Sequence, residues 1–154
     1  VVDLILWRHA EAEVIAPGQD DLQRALTPKG ERQARRMAAW LNHRLAASTR
    51  VLVSPALRCR QTAEALGREV RIVPAIAPDA PVAALVEAAR WPRSSEPVLL
   101  CGHQPTLGLL AAQLLAGVDQ PWAVKKGGVW WLRWRQRDGE PEVTLHAVQG
   151  PDSL

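Results

Sequence analysis

A three-layer α/β/α sandwich, with a mostly parallel central sheet and a C-terminal antiparallel hairpin, is the fold this sequence predicts, on three observations. Short apolar runs of the buried-strand kind recur at Val2–Leu6, Val51–Val53, Arg71–Val73 and Val98–Cys101. They are continuous rather than alternating, as strands covered on both faces require. Stretches with helical signals separate them, and after Gly127-Gly128 the periodicity changes to two.

The elements follow in order. Val2 to Leu6 reads as a strand that delivers the polar pair Arg8-His9 at its carboxyl end. Thr27-Pro28 is an N-cap followed by proline at the first helical position. From Lys29 to about Ala46, Ala34, Met37, Ala38, Leu41 and Leu45 share one helical face, while Arg32, Arg35 and Arg36 lie on the other. Val51–Val53 is the second strand, ended by Ser54-Pro55. A helix is expected from Pro55 to about Leu66, stopped by Gly67. Arg71–Val73 is the third strand, closed by Pro74, and Pro81 opens a helix towards Trp91. Val98–Cys101 breaks at Gly102, and Thr106 to Ala116 is a strongly apolar helix. In the last arm, Trp130, Leu132 and Trp134 alternate with Trp131, Arg133 and Arg135, the pattern of a half-exposed strand. Asp138-Gly139 is a hairpin turn, with Val143, Leu145 and Ala147 in the returning strand.

At 154 residues, 47% hydrophobic and 23% charged, the chain is expected to form one domain, 1–154, with its own core. No apolar run approaches the ~20 residues of a membrane helix, so no membrane partner is expected. The opening Val1 to Trp7 lacks a basic flank and a small-residue cleavage site, and is not expected to be a signal peptide. Cys59 and Cys101 are too few for a disulfide framework and fit no CxxC pattern, so free thiols and a cytoplasmic setting are expected. A monomer is the expected state. The net charge of +3 comes mostly from arginine, which favours anionic partners in general. A solvated arginine-rich surface explains the same charge.

Open α/β sheets bind ligands beyond the carboxyl ends of their strands. Arg8-His9 ends the first strand, Ser54-Pro55 leads from the second to Arg58, and Gly102-His103 ends the fourth. Arg24 can reach the same rim from the long first loop. Such a cluster repels itself unless an anion sits among its members. Phosphate suits it: guanidinium forks bind its oxygens bidentately, and the helix after His103 offers backbone N–H groups. Phosphoryl transfer asks a catalyst mainly to position and neutralise charge. Neutral imidazole is a competent nucleophile. His9 would attack phosphorus while its other ring nitrogen donates to a carbonyl. Arg8, Arg58 and His103 would hold the non-bridging oxygens, and water would later hydrolyse the phosphohistidine. No carboxylate cluster has metal-ligand spacing, so neither a metal nor another cofactor is expected. Each residue alone has an ordinary structural reading; their convergence makes the case.

These segments resemble the histidine phosphatase superfamily. Leu6-Trp7-Arg8-His9-Ala10-Glu11-Ala12 matches its RHG/RHA signature. Leu26-Thr27-Pro28-Lys29-Gly30, Val53-Ser54-Pro55-Ala56-Leu57-Arg58 with Gln61-Thr62, and Gly102-His103 follow in the family's order. The short length and the RHA form are most similar to the SixA-type phosphohistidine phosphatases. The resemblance implies a phosphatase with a covalent His9 intermediate and a pocket built from Arg8, Arg58 and His103. It carries over Arg24 as a further phosphate ligand and Asp21 as an acid of that branch. Two departures stand out. Ala10 replaces the usual glycine, and the middle segment Val73–Asp79 lacks the glutamate that protonates alcohol leaving groups in mutase-like members; Asp79 is its one carboxylate. Asp79 and Asp21 are therefore the candidate general acids. An alkoxide needs acid help worth about 100- to 10,000-fold, whereas imidazole leaves as a weak base. A phosphohistidine-bearing protein is the expected substrate.

Three other readings are distinguishable. The enzyme could act on small phosphate esters or nucleotides, which a substrate panel would reveal. It could be a phosphate-binding module without turnover, against which the intact His9 argues. Trp130 to Arg137 interleaves aromatic and basic residues, as nucleic-acid platforms do. Only Trp131 shares the arginine face, so nucleic acid is not the expected partner.

Overall fold

Val2–Arg8 forms β1, an inner strand of the sheet, in a computed structural model that describes all residues 1–154. The chain continues through α1 (Pro28–Asn42), β2 (Arg50–Val53), α2 (Leu57–Glu64), β3 (Arg71–Ile72), α3 (Val82–Ala89) and β4 (Val98–Gly102). It ends with α4 (Thr106–Ala116), β5 (Val129–Arg137) and β6 (Glu140–Gln149). Single 3-10 turns lie at Asp21–Gln23, Pro74–Ile76 and Pro151–Ser153.

The six strands form one sheet in the order β3-β2-β4-β1-β5-β6. β1 runs parallel to β4, which runs parallel to β2, and β2 to β3. β5 is antiparallel to both β1 and β6. Because side chains alternate along a strand, the apolar runs feed two cores. Ile5, Trp7, Val51, Val53, Leu99 and Cys101 face α1 and α2, meeting Met37, Leu41 and Ala63. Leu4, Leu6, Leu52, Val98 and Leu100 face α3 and α4, meeting Leu85, Leu107 and Leu110. Burying each of these larger side chains is worth about 1.5–3 kcal/mol. The sandwich therefore has the three layers its sequence predicts.

Five details differ from the sequence expectation. The first helix stops at Asn42 rather than near Ala46. Leu45 is still buried, and the Arg68 guanidinium donates to the carbonyls of Leu45 and Ala46. The helix expected from Pro55 to Leu66 covers only Leu57–Glu64, and α3 stops at Ala89, with Arg90 in the left-handed region. The hairpin turn has positive φ at both Asp138 (53°) and Gly139 (80°), the geometry that matches strand twist. Its returning arm, however, is bulged: Trp131 pairs with Ala147 and Leu132 with Leu145, which leaves His146 as an extra residue. Val143 therefore packs on the α3/α4 side and Ala147 on the α1/α2 side, so the expected single apolar face of that arm is split. Nor is β5 half-exposed in its first half. Trp131 is buried, edge-on to Trp40 at 6.1 Å, and Arg133 forms a two-point ion pair with Asp3 directly across the ladder.

Candidate functional site

Arg8 and His9 sit where β1 leaves the sheet, and the backbone there is held from both sides. The His9 N–H donates to the Gly102 carbonyl at the end of β4 (3.1 Å). The His9 carbonyl accepts from Gly127 N–H (3.0 Å), just ahead of β5. Gly127 has φ +72°, a conformation that suits glycine, and its own carbonyl accepts the Trp7 indole N–H at 3.0 Å. The loop after His9 is tied down next. Ala10 N–H donates to Thr62 Oγ1 (3.0 Å), whose hydroxyl donates to the Arg58 carbonyl one turn back in α2 (2.7 Å). Ala10 is fully buried beside Leu26 and Ala34, so its methyl group is accommodated under His9. Glu11 N–H donates to Gln33 Oε1, and Thr27 donates to the Glu11 carboxylate while capping Gly30 N–H. α1 comes so close to this loop that a Cβ on Gly30 would lie 2.0 Å from the Glu11 carbonyl oxygen.

A cavity of about 370 Å³ opens over this rim. Arg8, His9, Arg58 and His103 all line it, and so do Arg24, Asp21 and Asp79. The sequence-predicted residues thus come together from five separated segments. The two imidazole rings lie 5.4 Å apart between centroids. His9 Nδ1 is 2.8 Å from its neighbour's carbonyl at Ala10 and donates to it, which leaves the lone pair on Nε2. Burial, reinforced by the charges of His103, Arg58 and Arg8, pushes the His9 pKa down to about 3, against the opposing pull of the Ala10 hydrogen bond. The imidazole is neutral throughout the physiological range.

His103 is oriented from below. Its Nε2 lies 2.7 Å from Ser54 Oγ and 3.4 Å from Cys59 Sγ. Cys101 in turn donates to the Cys59 carbonyl; both thiols are free and fully buried, and burial pushes the Cys101 thiol up. The N-terminus of α4 is less available than the sequence suggests. Leu107 N–H donates to the His103 carbonyl and Gly108 N–H to Gln104 Oε1, so these donors are satisfied within the protein.

Asp21 bridges two arginines. Its Oδ1 accepts from Arg24 Nε (2.9 Å) and its Oδ2 from Arg58 (3.0 Å), while its carbonyl accepts a second Arg58 N–H. Burial works against the carboxylate, but the hydrogen bonds from Arg24 and Arg58 prevail and hold its pKa below the usual range. Arg58, only 3% exposed, is fixed in aim by this bridge, and its Nε has no partner. Arg8 donates to the Val124 carbonyl at 3.0 Å, and its Nε is likewise buried without a partner. Asp79 stands on the exposed side of the cavity with φ 67°.

Sequence reasoning missed Lys126 and Gln104, which also line the cavity. Lys126 precedes β5, and because β5 is antiparallel to β1, its beginning lies at the same rim as β1's end. A search confined to the carboxyl ends of strands overlooks such a residue. The signal present was the lysine pair Lys125-Lys126 directly ahead of Gly127-Gly128. Four cationic side chains thus face the cavity against two carboxylates, an arrangement that attracts a compact anion.

Fold and cavity define a class: the chain belongs to the histidine phosphatase superfamily, whose branch 1 matches residues 4–80. It is accordingly a phosphatase. Among curated relatives it is 33% identical over 129 residues to the phosphohistidine phosphatase SixA of Escherichia coli K12, covering 78% of each chain. The solved structure of the protein histidine phosphatase SixA complexed with tungstate superposes with a TM-score of 0.80 at 28% identity, over 99% of both chains. A phosphoserine phosphatase mutant from Entamoeba histolytica aligns over 100% of both chains with a TM-score of 0.71 at 16% identity, a likeness of fold alone.

Proposed function

We propose that the protein hydrolyses phosphohistidine borne on another protein, through a phosphorylated His9 and without a metal ion. The observation that carries this reading is the neutral His9 imidazole, anchored through Nδ1 and unpaired at Nε2, on a cavity ringed by Arg8, Arg24, Arg58 and His103. The Nε2 lone pair attacks phosphorus in line, and the P–N bond to the substrate imidazole breaks. That imidazole leaves with the bonding pair and takes a proton from solvent. Arg8, Arg58 and His103 bind the non-bridging oxygens and neutralise the charge spread over them. Water then attacks phospho-His9, releasing inorganic phosphate and restoring the free base. Guanidinium groups supply the neutralisation for which other phosphatases use metal ions.

The leaving group decides the substrate class. Asp21 is held ionised between two guanidiniums and is a positioning residue for Arg58 and Arg24, not a proton donor. Asp79 is the other carboxylate on the cavity, and it stands at the solvent side. With so little acid provision, imidazole is the fitting leaving group and alkoxide is not. The SixA relatives, described as phosphohistidine phosphatases, support the same choice, and tungstate, bound by one of them, is a tetrahedral oxyanion. No helix is long and apolar enough to cross a membrane, and the buried free thiols suit a reducing compartment such as the cytoplasm.

The test pairs trapping with a substrate panel. Wild type should acquire an acid-labile, base-stable phosphoryl label that His9→Ala lacks, and should turn over a phosphohistidine protein faster than alkyl or aryl phosphates. Faster turnover of alkyl esters, or a label that survives in His9→Ala, defeats the reading.

A further inference from the structure

A second and larger cleft, of about 570 Å³, lies at the opposite end of the sheet and shares no residue with the catalytic cavity. β2 connects the two: Arg50, its first residue, lines this cleft, and Ser54, just past its last, holds His103. The cleft exists because β3 is only two residues long. It pairs with Leu52 and Val53 and leaves the Arg50–Val51 edge of β2 without a strand beside it.

Four arginines line the opening, Arg50, Arg68, Arg71 and Arg90, against one carboxylate, Glu69. None of them forms an ion pair with any carboxylate. Arg68 is committed to the end of α1, through Asn42 and the carbonyls of Leu45 and Ala46. Arg50 donates to the Ala89 carbonyl, which covers that end of α3, while its Nε is buried with no partner. Arg71 and Arg90 lie exposed at the rim of the cleft. Burial lowers the Arg50 pKa, and the charges of Arg90 and Arg71 lower it further against the opposing pull of Glu96. Like charges gathered around a cleft cost the free protein stability, and an anion between them removes that cost. Beside the charges, Ala47 and Val70, with the edges of Val51 and Leu52, give the cleft an apolar wall. The volume falls within the span of about 300–1,000 Å³ typical of small-molecule sites.

We propose that this cleft is a nucleotide-binding site, with the phosphates held by Arg50, Arg71 and Arg90 and the base laid against Val70 and Ala47. The site is independent of the catalytic reading, because none of its groups belongs to the phosphate cavity.

The probe is an ATP analogue with a methylene group in place of the β,γ-bridging oxygen, titrated calorimetrically into the full chain. Binding should be saturable and should persist in the presence of tungstate, which fills a tetrahedral-oxyanion site. Arg71→Gln and Arg90→Asn should each weaken it about tenfold or more, as loss of a charge-assisted hydrogen bond does. Asn is chosen at Arg90 because it tolerates the left-handed backbone (φ 50°) found there. Both variants should melt no lower than wild type, since each relieves part of the repulsion, and should keep its phosphatase rate. Absence of saturable binding at millimolar analogue overturns the proposal. So does displacement by tungstate, which places the analogue in the catalytic cavity. Tripolyphosphate binding as tightly as the analogue overturns the nucleotide assignment, since the apolar wall then contributes nothing.

Discussion

Acidification offers a direct probe of the His9 environment. The ordinary histidine pKa is about 6.5, which His9 regains on unfolding, whereas burial and neighbouring cations bring the folded value to about 3. A histidine whose folded pKa is depressed contributes its full stability above pH ~6.5, where both states are neutral. Below that, the unfolded chain takes up a proton that the folded protein refuses, and stability falls until the pH reaches the folded value. Linkage puts the loss from this one side chain at about 2 kcal/mol at pH 5 and about 3 kcal/mol at pH 4, relative to pH 7. Urea denaturation at several pH values, on wild type and on the neutral variant His9→Gln, isolates the contribution. The stability of wild type minus that of the variant should shrink by these amounts. Nitrogen NMR on wild type should show the His9 ring neutral down to pH 5. A difference that stays flat from pH 7 to pH 4, together with a His9 ring titrating near 6.5, would refute the claim that burial among cations keeps His9 in its free-base form.

Three substitutions examine other parts of the site. Ser54→Ala removes the hydroxyl beside His103 Nε2 and the acceptor for Ala56 N–H; it should cost about 1–3 kcal/mol in a denaturant titration and lower kcat/KM about tenfold or more, whereas a purely structural Ser54 would leave kcat/KM unchanged. Gly30→Ala drives a methyl group into the Glu11 carbonyl, so α1 or the loop after His9 must shift; a loss of about 1–3 kcal/mol and reduced activity are expected, and a fully stable, active variant would show that the approach is not tight. Lys126→Ala takes an exposed cation from the cavity rim, and it should raise KM several-fold at low salt with little change in kcat, the effect fading as ionic strength rises. A change in kcat alone would instead put Lys126 in the chemical step.

The parts of the site visible in the sequence are those governed by local rules. Arg8-His9 and Gly102-His103 stand directly after continuous apolar runs, and Arg58 follows a strand by one helical turn. The rule for parallel strands therefore places all of them at one rim. Lys126 escapes that rule because its strand runs the other way. The bridging role of Asp21 depends on where a 3-10 turn sets its carboxylate between Arg24 and Arg58, and no spacing in the sequence encodes that distance. The bulge at His146 is equally hidden, since an extra residue in one arm shows only when its partner strand is known. The end of α1 is hidden as well, because Leu45 keeps its apolar spacing, and its burial, after the helix has stopped.

The strand that leads to His9 has a consequence for how the protein is made. β1 leaves the ribosome well before its only neighbours in the sheet, β4 and β5, both encoded beyond residue 97. The segment bearing the recognisable superfamily pattern, residues 4–80, contains neither of them. A nascent chain that ends with that segment shows His9 on a strand with both edges bare, so the cavity around His9 cannot form before β4 and β5 are made. Until then β1 is an apolar ribbon in need of protection from other chains.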